Sequence, residues 1–379
     1  MKRVLACLFT LALVGTIVGC TTANNQTQNN AEPISNEQQI KHIDDWKDIY
    51  PDVYASFIDG ANDKKDKDGL SHSHAVLKDT AEVADAIFST TSDGMGCVSC
   101  KSADLNTLYA EHGDNVWAMP YADHTDDLEF WGCYLCHENN PSGTVMATSI
   151  TYKTLAGDYV DTIAPADAAC GQCHNALAAY PRRVVFSGKA LQSLDPYRYG
   201  TDADALYKAF TEDGDPLLVD EDGVESYSIG HPDVEIYQGS NHQSLGLTCA
   251  SCHMPSMTNS EGEAYISHNA SGSPLENQSA LEYCLTCHSA QGIENTNEMV
   301  GFVKGKQEIL GTANTEAQTS LDELHALIVA NADTASDSKE ARELYTLAKS
   351  KAYYQPAQKA AESEIMNVKS MICNSSQVR

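Results

Sequence analysis

The stretch Gly132-Cys133-Tyr134-Leu135-Cys136-His137 decides how this chain folds, because it places two thiols and an imidazole within one turn. Two Cys separated by two residues and followed at once by His form the attachment site of a c-type haem. The thiols hold the porphyrin through thioethers, and the His bonds the iron from one side. The pattern recurs at Cys170-Cys173-His174, Cys249-Cys252-His253 and Cys284-Cys287-His288. A fifth pair, Cys97 and Cys100, is followed by Lys101 instead. His makes up 13 of 379 residues, so four His in five such places would arise by chance on the order of once in 10⁵. Zinc ribbons also pair Cys-x-x-Cys units, but they do not call for His at this offset. The sequence therefore calls for five covalently bound c-type haems, one of them unlike the rest.

Outward from these motifs, the N-terminus reads as an export signal. Lys2 and Arg3 precede an apolar run from Val4 to Val18, too short to span a bilayer. The run ends Ile17-Val18-Gly19-Cys20, which resembles a bacterial lipoprotein box. The expectation is a signal peptide over 1–19, a lipid on Cys20 and a polar linker over 20–38. One pentahaem domain then spans 39–379. The linker is rich in Thr, Asn and Gln and has no periodicity. The chain would then be extracytoplasmic and lipid-anchored to the cell membrane, where c-type haem is attached. Of the 13 Cys, ten hold haem, Cys20 takes lipid, Cys7 leaves with the signal and Cys373 remains as a plain thiol, so no disulfide framework is implied.

Charge excludes one class of partner. With 53 acidic against 24 basic residues, the formal net charge is −29. That argues against nucleic acid and repels small anions at long range. No repeat accompanies the Cys-x-x-Cys pairs. The 79-residue interval between Cys170 and Cys249 holds acidic, Gly-rich loops such as Asp220-Glu221-Asp222-Gly223. From about 299 to 372 the pattern is helical, with Leu321, Leu324 and Ile328 at helical spacing, a break over Asn331 to Ser338, and Pro356 ending or kinking the second helix. The fold class is mainly α: a multihaem cytochrome c with haem-binding loops and long C-terminal helices.

Lys in place of the ligating His, first in a row of five sites, resembles the pentahaem ammonia-forming cytochrome c nitrite reductases. The segment Pro51-Asp52-Val53-Tyr54-Ala55-Ser56 is similar to that family's N-terminal Pro-x-x-Tyr-x-Ser. His231-Pro232, 18 residues before Cys249, resembles its active-site His-Pro, and Cys252-His253-Met254-Pro255 is also family-like. The resemblance covers roughly residues 42–300 and weakens beyond them. It implies that the first haem is catalytic, with iron held by Lys101, the opposite face open, and His231 supplying protons and hydrogen bonds to substrate. It implies distal ligands at His242, at His268 and at His72 or His74, with His74 favoured. A fourth would lie near the C-terminus. The matching helix there reads Tyr353-Tyr354-Gln355-Pro356 without His, which leaves His325 as the candidate. His42, His112 and His124 read as surface residues.

The family pattern is incomplete here. The family carries Glu-Tyr at the second and third positions past the third ligating His, where this chain has Ala176 and Leu177. The amide that helps bind calcium before the active-site His is Gly230, and Ala and Gly side chains offer calcium no oxygen. Calcium is expected to be absent. No Arg lies between Cys20 and Arg182, so the active-site Arg is missing too; Asp85 or a neighbour stands in its region. A basic island of Arg182, Arg183, Lys189 and Arg198, beside Tyr180, reads either as an anion guide or as a patch paired with carboxylates.

The resemblance implies dissimilatory reduction of nitrite to ammonia, a small-anion substrate, a membrane quinol-oxidising cytochrome as electron donor, membrane attachment through the lipid, and leaves a homodimer open. Two alternatives stand beside it. One is an electron-transfer cytochrome that feeds a partner reductase. The other is a reductase of another small oxyanion or of a sulfur species.

Overall fold

Each described attachment segment sits where a helix begins or ends. The computed structural model describes residues 43–62, 95, 98, 101–120, 123–129, 132–138, 144–177, 195–212, 218–219, 225–226, 232–270 and 272–330. After a 3-10 turn at Ile43–Trp46 come helices α1 (Pro51–Asn62), α2 (Leu105–His112), α3 (Ile150–Ala156), α4 (Tyr159–Thr162) and α5 (Pro165–Gly171). They continue with α6 (Ala203–Glu212), α7 (Asp233–Tyr237), α8 (Asn241–Ser244), α9 (Cys249–His253), α10 (Gln278–His288) and α11 (Thr296–Ala330). The second attachment segment is a 3-10 turn, Cys133–Leu135. The third closes α5, the fourth is α9 itself, and the fifth ends α10.

Local signals explain the short helices. Pro165 opens α5 from a position where its missing N–H costs nothing. Thr248 and Ser251 form a reciprocal capping box on α9, and Asn277 caps α10 by accepting from the Ala280 N–H at 3.0 Å. Ser149 and Ser240 cap α3 and α8 in the same way.

The main apolar core is drawn from residues 95–234, with Met95, Val98, Leu105, Val116, Leu206 and Val234 almost fully buried. A second, small cluster of Leu281, Ile293 and Met299 joins α10 to α11. The expected helical spacing is seen in α11, whose buried face includes Leu321, Leu324 and Ile328. The break at Asn331, Leu344, Pro356 and Cys373 lie outside the described residues. Among the described residues no helix is long and apolar enough to cross a membrane.

Among the described residues, two short antiparallel hairpins accompany the helices of this mainly α fold. Leu218–Val219 (β1) pairs with Glu225–Ser226 (β2) inside the interval expected to be loop. Ser256–Thr258 (β3) pairs with Ala264–Ile266 (β4), in the register Met257 to Tyr265. The second hairpin turns on Asn259, whose side-chain oxygen accepts from the N–H of Glu261 and of Glu263, and on Gly262 at φ +85. The strands are too short for a two-residue alternation to show in sequence.

Gly171 sits where α5 meets α7. A Cβ there would lie 2.9 Å from the Tyr152 hydroxyl and 3.2 Å from both Val234 methyls. Gly171→Ala should therefore cost about 1–3 kcal/mol through overpacking. It should also lower haem loading at the third site. Thermal unfolding and haem content per chain check both.

Candidate active site and haem relay

Buried polar side chains stitch the attachment segments together. Asp104, three residues after Lys101, accepts from the Glu129 N–H at 2.8 Å and from the Tyr134 hydroxyl of the second segment at 3.2 Å. Gln172, inside the third segment, is buried and reaches the second: its Nε2 donates to the Leu135 carbonyl at 2.6 Å. Its Oε1 accepts from the N–H of Thr148 at 3.1 Å and of Ser149 at 3.0 Å. Asp167, buried at the start of α5, accepts from the Cys249 N–H at 2.8 Å and so ties the third segment to the fourth. The thiols follow the same order. Cys136 lies near Cys170, Cys170 shares a hydrogen bond with Cys249, and Cys252 lies near Cys284.

The structure brings two of the expected His into facing pairs. The ring centroids of His137 and His268 lie 6.1 Å apart. The rings of His242 and His288 also lie 6.1 Å apart. Two imidazoles bonded to opposite sides of one iron, each at about 2 Å through Nε2, have centroids about 6–6.5 Å apart. Burial pushes His268 down to about 4, so its ring stays neutral, as iron ligation requires. Leu245 and Phe302 expose apolar side chains near the second pair: the Leu245 N–H bonds to the His242 carbonyl, and the Phe302 ring sits 5.7 Å from His288. Donor chemistry, spacing and apolar surroundings all fit c-type haem.

The N-terminal segment holds one of these pairs. Ser56, in α1, accepts from the His268 N–H at 2.9 Å, and Asp52 accepts from the Asn259 amide of the β3–β4 turn at 2.8 Å. The Pro-x-x-Tyr-x-Ser stretch thus clamps the hairpin that carries His268.

His174 stands at the junction of the segments. Lys101 is near enough to oppose its protonation, and His174 in turn depresses His253, which burial also lowers. The Asp233 carboxylate lies 2.9 Å from His174 Nδ1 and raises its pKa. Val234 donates its N–H to the His174 carbonyl at 3.1 Å. Two residues on, Glu235 turns inward and is only 4% exposed. One of its oxygens accepts from the Ala176 N–H at 3.0 Å and from the Tyr197 hydroxyl. Its other oxygen, with the Tyr152 and Tyr159 hydroxyls, is buried without a hydrogen-bond partner. Burial raises Glu235 to about 7. Ala176 and Leu177, where the family has Glu-Tyr, are themselves buried in the core.

Other expected residues are placed as follows. Lys101 is half-buried, with its N–H bonded to the Val98 carbonyl at 2.7 Å. His325 is half-buried in the last turns of α11, and Cys133, Cys173 and Cys287 take their expected places in the attachment segments. His112 and His124 sit beside Glu111 and Asp127, at 3.9 and 3.1 Å, as surface residues would. Arg198 donates to the carbonyls of Asp195 at 2.8 Å and Ala209 at 2.7 Å and pairs with Glu212 at 3.7 Å. That favours the carboxylate-paired reading for this member of the basic island. Cys20, His42, His72, His74, Cys97, Cys100, Tyr180, Arg182, Arg183, Lys189, Gly230 and His231 lie outside the described residues. The sequence reading missed Gln172, Asp167, Asp233 and Glu235. The last two carried a signal, since both lie within three residues of Pro232 in the His231-Pro232 motif.

Four haem-attachment segments and two facing His pairs on a helical frame define a multihaem c-type cytochrome. The fold is similar to that of the cytochrome c nitrite reductase from Desulfovibrio desulfuricans ATCC 27774, a structure described for two calcium sites in the catalytic subunit, NrfA. The TM-score is 0.65 at 18% identity, covering 89% of this chain and 84% of that one. An outer cell wall cytochrome, OcwA, aligns at a TM-score of 0.40 and 16% identity, over 76% of this chain and 47% of that one. A family model described as cytochrome c552 matches residues 24–367. The chain belongs to that family, the cytochrome c nitrite reductases, and is a multihaem cytochrome of nitrite-reductase type.

Glu235 makes a pH-dependent contribution. Its pKa is raised from 4.5 unfolded to about 7 folded. The folded state then holds more protons between those values, so stability falls as pH rises through about 7. The shift corresponds to about 3 kcal/mol as an upper bound. Glu235→Gln keeps an acceptor for the Ala176 N–H and removes the charge. Its melting temperature should exceed that of the parent at pH 8 and approach it at pH 5. Equal gaps at both pH values would show that Glu235 is not the group responsible.

Proposed function

We propose that the protein reduces nitrite to ammonia, released as ammonium in a six-electron reaction that consumes eight protons, at the haem attached through Cys97 and Cys100. The observation that carries this reading is Lys101. It occupies the position that His holds at the other four sites, and it is near enough to His174 to oppose its protonation. When bound, the haems supply one iron with an open face for the anion and four closed ones that pass electrons. Lys101 binds as a neutral amine, which coordination makes available at ordinary pH. His231 donates protons and hydrogen bonds to the substrate. His137 and His268 would hold one haem iron, and His288 and His242 another; their 6.1 Å ring separations support those roles. His74 and His325 are assigned to the irons of His174 and His253. Calcium is absent from this site, because Ala176 and Gly230 stand where the family uses side-chain oxygens.

The reading extends to placement. The segment 1–19 directs export, Cys20 carries lipid, and electrons come from a quinol-oxidising cytochrome of the membrane. One observation favours a second reading, an electron-transfer cytochrome that serves a separate reductase. Ala176 and Leu177 are packed into the core and present no Tyr or carboxylate.

Spectra of the purified holoprotein should show one high-spin and four low-spin haems. Five low-spin haems would close the first iron and sink the enzyme reading; two high-spin haems would remove His325 as a ligand. Mass spectrometry should find five haems and an acylated Cys20.

Steady-state nitrite reduction with reduced viologen separates enzyme from relay. His231→Ala should lower it by on the order of 10²-fold while the four low-spin spectra stay unchanged. Dialysis against a chelator should remove neither activity nor any stoichiometric calcium. If the parent turns over none of nitrite, hydroxylamine and sulfite, the relay reading holds; turnover of another substrate without nitrite points to the alternative reductase.

A further inference from the structure

His174 is held at both ends by the first turn of α7. Its carbonyl accepts from the Val234 N–H at 3.1 Å, and its Nδ1 faces the Asp233 carboxylate at 2.9 Å. With Nε2 on iron, Nδ1 carries the proton and donates to Asp233. The comparable rings make neutral contacts. His288 Nδ1 meets the Gln291 amide oxygen at 3.1 Å, His268 Nδ1 meets the Ile266 carbonyl at 3.0 Å, and His253 is bonded to the backbone of Ala270. An anionic acceptor draws the Nδ1 proton more strongly than an amide or carbonyl does. It leaves more electron density on the imidazole and favours the ferric over the ferrous state.

Position gives this difference a consequence. The third segment adjoins all its neighbours: Cys136 lies near Cys170, Cys249 is hydrogen-bonded to Cys170, and Lys101 lies near His174. With five haems bound, electrons destined for the first haem would pass this junction.

We propose that Asp233 is a positioning residue that, through His174, holds the reduction potential of the third haem below those of the haems at His253 and His288. One electron leaves the third haem as ferrous becomes ferric, and the first haem gains it. A lower donor potential increases the driving force for that transfer, and no bond or proton changes. The proposal rests on His174 as a haem ligand and not on nitrite as substrate.

Two substitutions test it in opposite directions. Redox titration of the five-haem holoprotein, followed by absorbance and EPR, resolves the individual couples. Asp233→Asn replaces the anion by an amide and should raise one couple, with smaller shifts in the others. Asp233→Glu should hold that couple near its parent value. Gln291→Glu, at an exposed position, installs a carboxylate at His288 and should lower a different couple. The proposal is overturned if Asp233→Asn leaves every couple in place. It is equally overturned if all five rise together, which is the response to a lost surface charge. If Asp233→Asn does not load five haems, Gln291→Glu decides alone: an unmoved couple at His288 overturns the proposal. None of these measurements uses nitrite, so their outcome is separate from turnover.

Discussion

An iron bonded to His on one side of a porphyrin must be closed, or left open, from the other side by a residue that the attachment motif does not contain. Two long-range features among the described residues serve that requirement. His268 faces His137 across 6.1 Å although the two are far apart in sequence. It reaches that place on a two-stranded hairpin, and the hairpin is held by Ser56 and Asp52 from the opposite end of the described chain. His242 reaches His288 by a shorter route, on a single turn of helix capped by Ser240. Each such hydrogen bond is worth only about 0.5–1.5 kcal/mol net. Their value is directional, because an imidazole displaced by an ångström no longer reaches the iron.

Apolar packing alone would not hold the segments in register. A porphyrin is a flat apolar surface, and contact with it is non-directional. The apolar core is concentrated at residues 95–234, while the fourth and fifth segments rely on a small cluster between α10 and α11. Between segments the chain uses buried polar side chains with several fixed partners. Gln172 fills three hydrogen bonds, to Leu135, Thr148 and Ser149, and Asp167 anchors the backbone of Cys249. Losing Gln172 would strand buried backbone groups at about 1–3 kcal/mol each, so the contact enforces spacing more than it adds stability.

The sequence made the covalent chemistry legible and left its geometry hidden. Cys-x-x-Cys-His is a local pattern with a local meaning, so His137, His174, His253 and His288 could be assigned at sight. The distal positions of His242 and His268 came from resemblance, and only the fold could pair His242 with His288 and His268 with His137. The helical period of Leu321, Leu324 and Ile328 was strong enough to reveal α11. The hairpins were not visible, because strands of two or three residues leave no periodicity. Gln172 was invisible for another reason. It occupies a variable position within a motif whose other members drew the reading, and its partners lie more than twenty residues away in the chain.

Asp233 and Glu235 show how one short helix turn produces two unlike carboxylates. Residues two apart on a helix point to nearly opposite sides. Asp233 faces outward to His174 at 2.9 Å, with its side chain largely exposed. Val234 is buried between them and fixes the turn against the His174 backbone. Glu235 faces inward among Tyr152, Tyr159 and Tyr197, where burial raises it to about 7. Two carboxyl groups in one turn are thus set apart by environment alone, one to polarise a ligand and one to hold a proton near neutrality. Both stand in α7, within three residues of Pro232. A displacement of α7 would therefore alter the partner of His174 and the contact of Glu235 with Ala176 together. The two carboxyl groups share a single mechanical support, the first turn of α7 held against the His174 backbone.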